Sequence, residues 1–139
     1  MRKGVIILAF WCIGYPQFDT GDRVVSLVIH PPEIETGTEA TIITPQIGTL
    51  YAVQLPDGEL HRWVAWFEVK AVDPSYNYYQ CHQVGDYVKI LNDRGHHKIK
   101  KGMVVRIAKI ISQTPFYDLR LDNGNYHRWL AEFEITQPM

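Results

Sequence analysis

Six histidines, two cysteines and fifteen carboxylates are the side chains of this 139-residue sequence with nucleophilic, acid–base or metal-ligating chemistry. Cys81 and His82 are neighbours in sequence. Adjacent residues of an extended chain point to opposite faces, so the two do not meet as a nucleophile and its base. Neither Cys81-His82 nor His96-His97 provides the two paired ligands at short, regular spacing that a zinc site uses. Two cysteines, Cys12 and Cys81, are too few for a disulfide framework. No glycine-rich phosphate loop of the GxxxxGK[ST] or GxGxxG type occurs. The expectation is a non-enzymatic protein with no catalytic residues, no metal and no cofactor.

Binding chemistry is better represented. The stretch Arg94-Gly95-His96-His97-Lys98-Ile99-Lys100-Lys101 concentrates positive charge in what reads as a long loop. Trp66 is predicted to be an exposed aromatic, and Tyr76, Tyr78 and Tyr79 cluster in an apparent linker. These ten positions, Arg94, His96, His97, Lys98, Lys100, Lys101, Trp66, Tyr76, Tyr78 and Tyr79, are the candidate ligand-binding residues. The formal charge of −1 excludes a uniformly basic chromatin-type protein. It conceals a polar distribution, however: residues 18–73 carry 3 basic and 9 acidic side chains, and residues 82–139 carry 9 and 6.

The elements that must position these residues come in two copies. Tyr51–Val69, YAVQLPDGELHRWVAWFEV, matches Tyr117–Ile135, YDLRLDNGNYHRWLAEFEI, at nine of nineteen positions. Upstream, Gly21-Asp22-Arg23-Val24 answers Gly85-Asp86-Tyr87-Val88, and Gly37–Ile42 answers Gly102–Ile107. The offset drifts from 64 through 65 to 66, as single insertions in loops produce. The chain is read as an arm over 1–17, a first acidic repeat over 18–73, a tyrosine-rich linker over 74–81 and a second, basic repeat over 82–139. The apolar run Val5–Ile13 is shorter than the roughly 20 residues of a membrane span. Following Arg2 and Lys3, it reads either as a packed arm of a cytoplasmic protein or as the core of a signal peptide covering residues 1–14 of a secreted one.

Each repeat reads as short strands. Tyr51, Val53 and Leu55 alternate with Ala52 and Gln54, as Tyr117, Leu119 and Leu121 do with Asp118 and Arg120. Asp57-Gly58 and Asn123-Gly124 are hairpin-tip dipeptides. The same parity puts Trp63, Ala65, Phe67 and Val69 on one inward face, with Trp66 facing out. Arg62 with Glu68, and Arg128 with Glu134, are then expected to be repeated surface ion pairs.

The pattern G-D-x-V, G-x-x-A/V-x-I, Y-x-V-x-L-x-D/N-G, W and F-E-V/I resembles the SH3-like small barrels of bacterial and phage proteins, twice over residues 18–136. The resemblance implies an all-β fold of two tandem SH3-like barrels packed together. It points to a protein–protein interaction or adaptor module with a protein partner. Two other roles of such barrels are carried as alternatives. One is a nucleic-acid-binding module of the KOW or Tudor type, gripping phosphates with Arg94, Lys98, Lys100 and Lys101. The other is a secreted cell-wall-binding protein.

Overall fold

The computed structural model describes residues 15–72 and 82–139. It is all-β, with eight strands: β1 (Arg23–Ser26), β2 (Glu39–Gln54), β3 (Leu60–Ala65), β4 (Val69–Ala71), β5 (Tyr87–Ile90), β6 (Val104–Leu121), β7 (Tyr126–Ala131) and β8 (Ile135–Thr136). One 3-10 turn, Trp66–Glu68, separates β3 from β4, and its counterpart Glu132–Glu134 separates β7 from β8. No helix among the described residues is long and apolar enough to cross a membrane.

The compact units are not the sequence repeats. Among the described residues, the first unit takes everything up to Gly48 and from Gln113 onward, and the second takes Thr49–Ser112. Each unit therefore combines the front half of one repeat with the back half of the other. This differs from the division at 18–73 and 82–139, and the reason is local. A division by repeat requires each repeat to turn back between its Gly37/Gly102 strand and its Tyr51/Tyr117 strand. Residues 43–50 and 108–116 contain no Asn-Gly or Asp-Gly turn, and both run on within a continuous strand even though Gln113 takes a positive φ of 55°. The result is two long strands, β2 of 16 residues and β6 of 18 residues, each starting in one unit and ending in the other.

In the first unit β1 pairs antiparallel with the start of β2, Val24 opposite Ala40, and with β8, Ser26 opposite Ile135. The end of β6 pairs with β7, Phe116 opposite Ala131. In the second unit β5 pairs with β4, Ile90 opposite Val69, and with the start of β6, Val88 opposite Val105. The end of β2 pairs with β3, Leu50 opposite Ala65.

Each unit has its own core. Val24, Ile34, Ala40, Ile42, Tyr117, Leu119, Leu121, Leu130 and Ile135 fill the first. Their repeat equivalents Val88, Ile99, Val105, Ile107, Tyr51, Val53, Leu55, Val64 and Val69 fill the second. The remaining member differs: Phe18 completes the first core and Ile90 the second, where the counterpart of Phe18 is the half-buried His82. Phe18 meets Tyr117 edge-to-face at 5.8 Å, and its counterpart His82 meets Tyr51 at the same 5.8 Å.

The hairpin tips form as expected. Leu55 and Leu121 donate their N–H to Glu59 and Asn125 carbonyls, and the Asp57 and Asn123 carboxyl or amide oxygens accept from residues two further on. Gly58 and Gly124 sit at φ of 91° and 92°, the left-handed region that glycine enters without steric cost.

Candidate functional site

The His-Arg-Trp triplets fall at a β-bulge in both copies. Tyr51 faces Val64 while Ala52 faces Arg62, so Trp63 is the extra residue; Trp129 is its counterpart. A bulge breaks strict alternation. Trp63, Val64 and Ala65 are consequently all buried, and so are Trp129, Leu130 and Ala131. Both tryptophans belong to the interior, at 2% and 1% exposure, with Trp129 edge-on to Phe116 at 5.0 Å.

The 3-10 turn then shifts the phase again, and two expectations fail on it. Phe67 and Phe133, assigned inward by parity, are exposed at 36% and 58%. Glu68 and Glu134, assigned to surface ion pairs, are buried. Each glutamate folds back to accept the N–H of the residue that opens its turn, Ala65 or Ala131, at 2.9 Å. Arg128 instead donates Nε–H to the Tyr126 hydroxyl at 2.8 Å and lies over the Trp129 ring at 4.7 Å. Burying a carboxylate while leaving the neighbouring phenylalanine in water is the local signature of this turn, and it occurs twice; the first copy adds an exposed Trp66 where the second has Glu132.

Around the second unit's turn, Trp66 is 48% exposed, as expected, and its ring stands edge-to-face with Phe67 at 5.4 Å. Leu91 donates its N–H to the Glu68 carbonyl at 2.7 Å, which brings a 39%-exposed leucine beside the turn. The first unit repeats this with Leu27 donating to Glu134 O at 2.8 Å. Leu27, Ile29 and Phe133 are all exposed there. Each unit thus presents an apolar surface built on its 3-10 turn.

The Arg94–Lys101 loop divides. His96 turns inward and donates Nε2–H to the Glu68 carboxylate at 3.0 Å, both side chains being fully inaccessible. A carboxylate only accepts, so Nε2 carries the hydrogen in this contact; the His96 Nδ1 faces His61 Nε2 at 3.4 Å. Glu68 and His61 come from the first repeat and His96 from the second, so this buried relay follows from the exchanged halves. Ile99 is buried beneath the loop. Lys98, at φ 69°, pairs with Glu59 at 2.8 Å, which raises the Lys98 pKa. Arg94, Lys100 and Lys101 are exposed, and His97 is partly so. Tyr76, Tyr78 and Tyr79 lie outside the described residues, as do residues 1–14.

In the first unit the position of His61 is taken by His127, whose partner is a carboxylate. His127 Nε2 lies 2.6 Å from Glu33, which also accepts from the Asn123 and Asn125 side-chain amides at 2.8 Å each. These three donors hold the Glu33 pKa down at about 2. Close by, the Tyr117 hydroxyl donates to Glu132 at 2.5 Å and accepts from the Gln17 N–H at 3.0 Å. Burial and that carboxylate push the Tyr117 pKa above the usual phenol range. No group of three or more His, Cys, Asp or Glu side chains converges to hold a metal ion among the described residues. A shallow cleft of about 420 Å³ in the first unit is lined by Phe18, Thr114, Pro115, Glu132 and Phe133, among others.

Taken together, these features define an internally duplicated all-β protein whose accessible chemistry is a pair of aromatic turns and scattered cations. No family model matches the chain, and no curated protein is significantly similar to it. Solved structures do resemble it. The ydhK protein of Bacillus subtilis, described as a DUF1541 family protein, superimposes with a TM-score of 0.67 at 24% identity, over 89% of this chain and 86% of that one. A second crystal structure of ydhK gives a TM-score of 0.64 at 24% identity, covering 86% of this chain and all of the other. The solution structure of the ydhK C-terminal domain gives 0.62 at 24% identity, over 86% and 93%. At this identity the likeness is one of fold.

Proposed function

We propose that this chain is a non-enzymatic protein-interaction module of two SH3-like small barrels, each engaging its protein partner through the apolar surface of its 3-10 turn. The observation that carries the reading is the duplicated inversion at Trp66–Glu68 and Glu132–Glu134: a buried glutamate anchors a turn that displays an exposed phenylalanine, joined in the first copy by Trp66. Large exposed apolar side chains grouped at one place mark contact surfaces, and aromatics dominate interface energetics. The antiparallel strand pairing around a separate core in each unit supports the small-barrel reading. Acidic and basic units give the two surfaces different electrostatic surroundings. Counted over their sequence, the first unit has 5 basic and 9 acidic residues, and the second has 9 and 6.

The test is affinity capture from native lysate with the whole chain, nuclease-treated, against Trp66→Ala/Phe67→Ala and Phe133→Ala variants of confirmed fold. A discrete protein retained by the native chain should be lost with at least one variant, each hot-spot truncation costing about 2 kcal/mol or about thirtyfold in Kd. Retention by both variants would remove the turns from the account.

A further inference from the structure

The second unit's outer sheet face carries a charge pattern that its duplicate lacks. On β4, β5 and β6, Val69, Val88, Ile90 and Val105 point into the core. The alternate residues Lys70, Tyr87, Lys89 and Arg106 therefore share the opposite face. Lys70 sits directly opposite Lys89, and Tyr87 directly opposite Arg106. Like charges placed opposite each other across a strand pair are destabilising. No carboxylate relieves this pair: among the described residues, Lys70, Lys89 and Arg106 have no ion pair or hydrogen bond. The Tyr87 ring, 59% exposed, stands two residues from Lys89.

The equivalent face of the first unit is neutral or already paired. Thr136, Val25 and Thr41 occupy the places of Lys70, Lys89 and Arg106. Arg23, in the place of Tyr87, is held by Glu39 and Asp122 at 2.7 Å. One scaffold thus has its charges satisfied internally, and its copy displays three cations around an aromatic. Cations beside a stacking platform are what a single strand of nucleic acid requires: backbone neutralisation and a π-face for a base.

We infer that the β4–β5–β6 face of the second unit binds single-stranded nucleic acid, with Lys70, Lys89 and Arg106 on phosphates and Tyr87 under a base. This surface is separate from the Arg94–Lys101 loop and does not depend on the protein-interaction reading of the 3-10 turns. The test is fluorescence-anisotropy titration of the whole chain with a labelled oligothymidylate at several salt concentrations. Three phosphate contacts give a log K against log salt slope of about −2. Lys70→Glu/Lys89→Glu/Arg106→Glu should weaken binding at least tenfold. Tyr87→Ala should weaken the oligonucleotide severalfold and leave inorganic polyphosphate, titrated as competitor, unchanged. Lys98→Glu/Lys100→Glu/Lys101→Glu serves as the charge-matched control and should have the smaller effect. No binding, binding insensitive to the sheet-face reversal, loss confined to the loop reversal, or equal competition by polyglutamate would each overturn the inference. Trp66→Ala/Phe67→Ala leaves this binding intact, so its failure and that of the protein-interaction reading are separable.

Discussion

Glu68 and Glu134 show how a single residue decides the local chemistry. Each buries a carboxylate to satisfy the first N–H of a 3-10 turn, and Glu68 also accepts a hydrogen bond from His96 Nε2–H. Glu68→Ala leaves two buried donors unsatisfied and is expected to cost about 1–3 kcal/mol per lost partner in urea denaturation. Glu134→Ala removes the acceptor of the Ala131 N–H and should likewise destabilise. Equal, negligible costs would contradict the burial of these groups. Glu33 provides a pH signature. Its three donors lower its folded-state pKa from 4.5 to about 2, so its contribution is complete above about pH 4.5 and is lost as pH falls towards 2. Stability measured over that window should fall less steeply in Glu33→Gln than in the native chain. Trp66 was legible from the sequence because its repeat partner is Glu132, which no core tolerates freely. Glu68 was not, since an alternation argument assumes a continuous strand and has no term for a three-residue helical turn.

Strands and turns differ in how plainly their residues announce them. Asp57-Gly58 and Asn123-Gly124 announced their hairpins because only glycine fits the left-handed position without strain. A Cβ added at either glycine meets open space, so Gly58→Ala and Gly124→Ala isolate the backbone cost. Each should destabilise by about 1–2 kcal/mol in thermal or chemical unfolding; a neutral result would contradict the positive φ. The bulges at Trp63 and Trp129 had no such marker. Their effect, three consecutive buried residues, is visible in sequence only as the apolar run Trp63-Val64-Ala65 and its copy Trp129-Leu130-Ala131. The basic loop was recognised as a loop, but His96 and Ile99 pack inward from it, and the second cationic surface arises only when Lys70 of one repeat pairs with Lys89 of the other. A linear count of charge cannot anticipate a strand pairing.

At the scale of the whole molecule, the duplication was plain in the sequence and the partition into units was not. Repeat identity reports which segments are equivalent, and equivalent segments form equivalent cores whether a repeat closes on itself or exchanges halves with its copy. Nine core positions of each unit correspond across the repeats, so packing does not distinguish the two arrangements. What distinguishes them is the extended course of β2 and β6 where a closing turn would be needed. The same logic governs domain swapping, in which an extended hinge sends an element to another partner. Both the Glu68–His96 relay and the Lys70–Lys89 face depend on this exchange, which makes it the central structural claim. Sedimentation velocity and circular dichroism of residues 82–139 produced without the first repeat test it most directly. Exchange predicts no cooperatively folded monomer: the piece is unfolded or pairs with a second copy of itself, and adding residues 1–81 restores a folded one-to-one complex. A folded, cooperative monomer of residues 82–139 would contradict it.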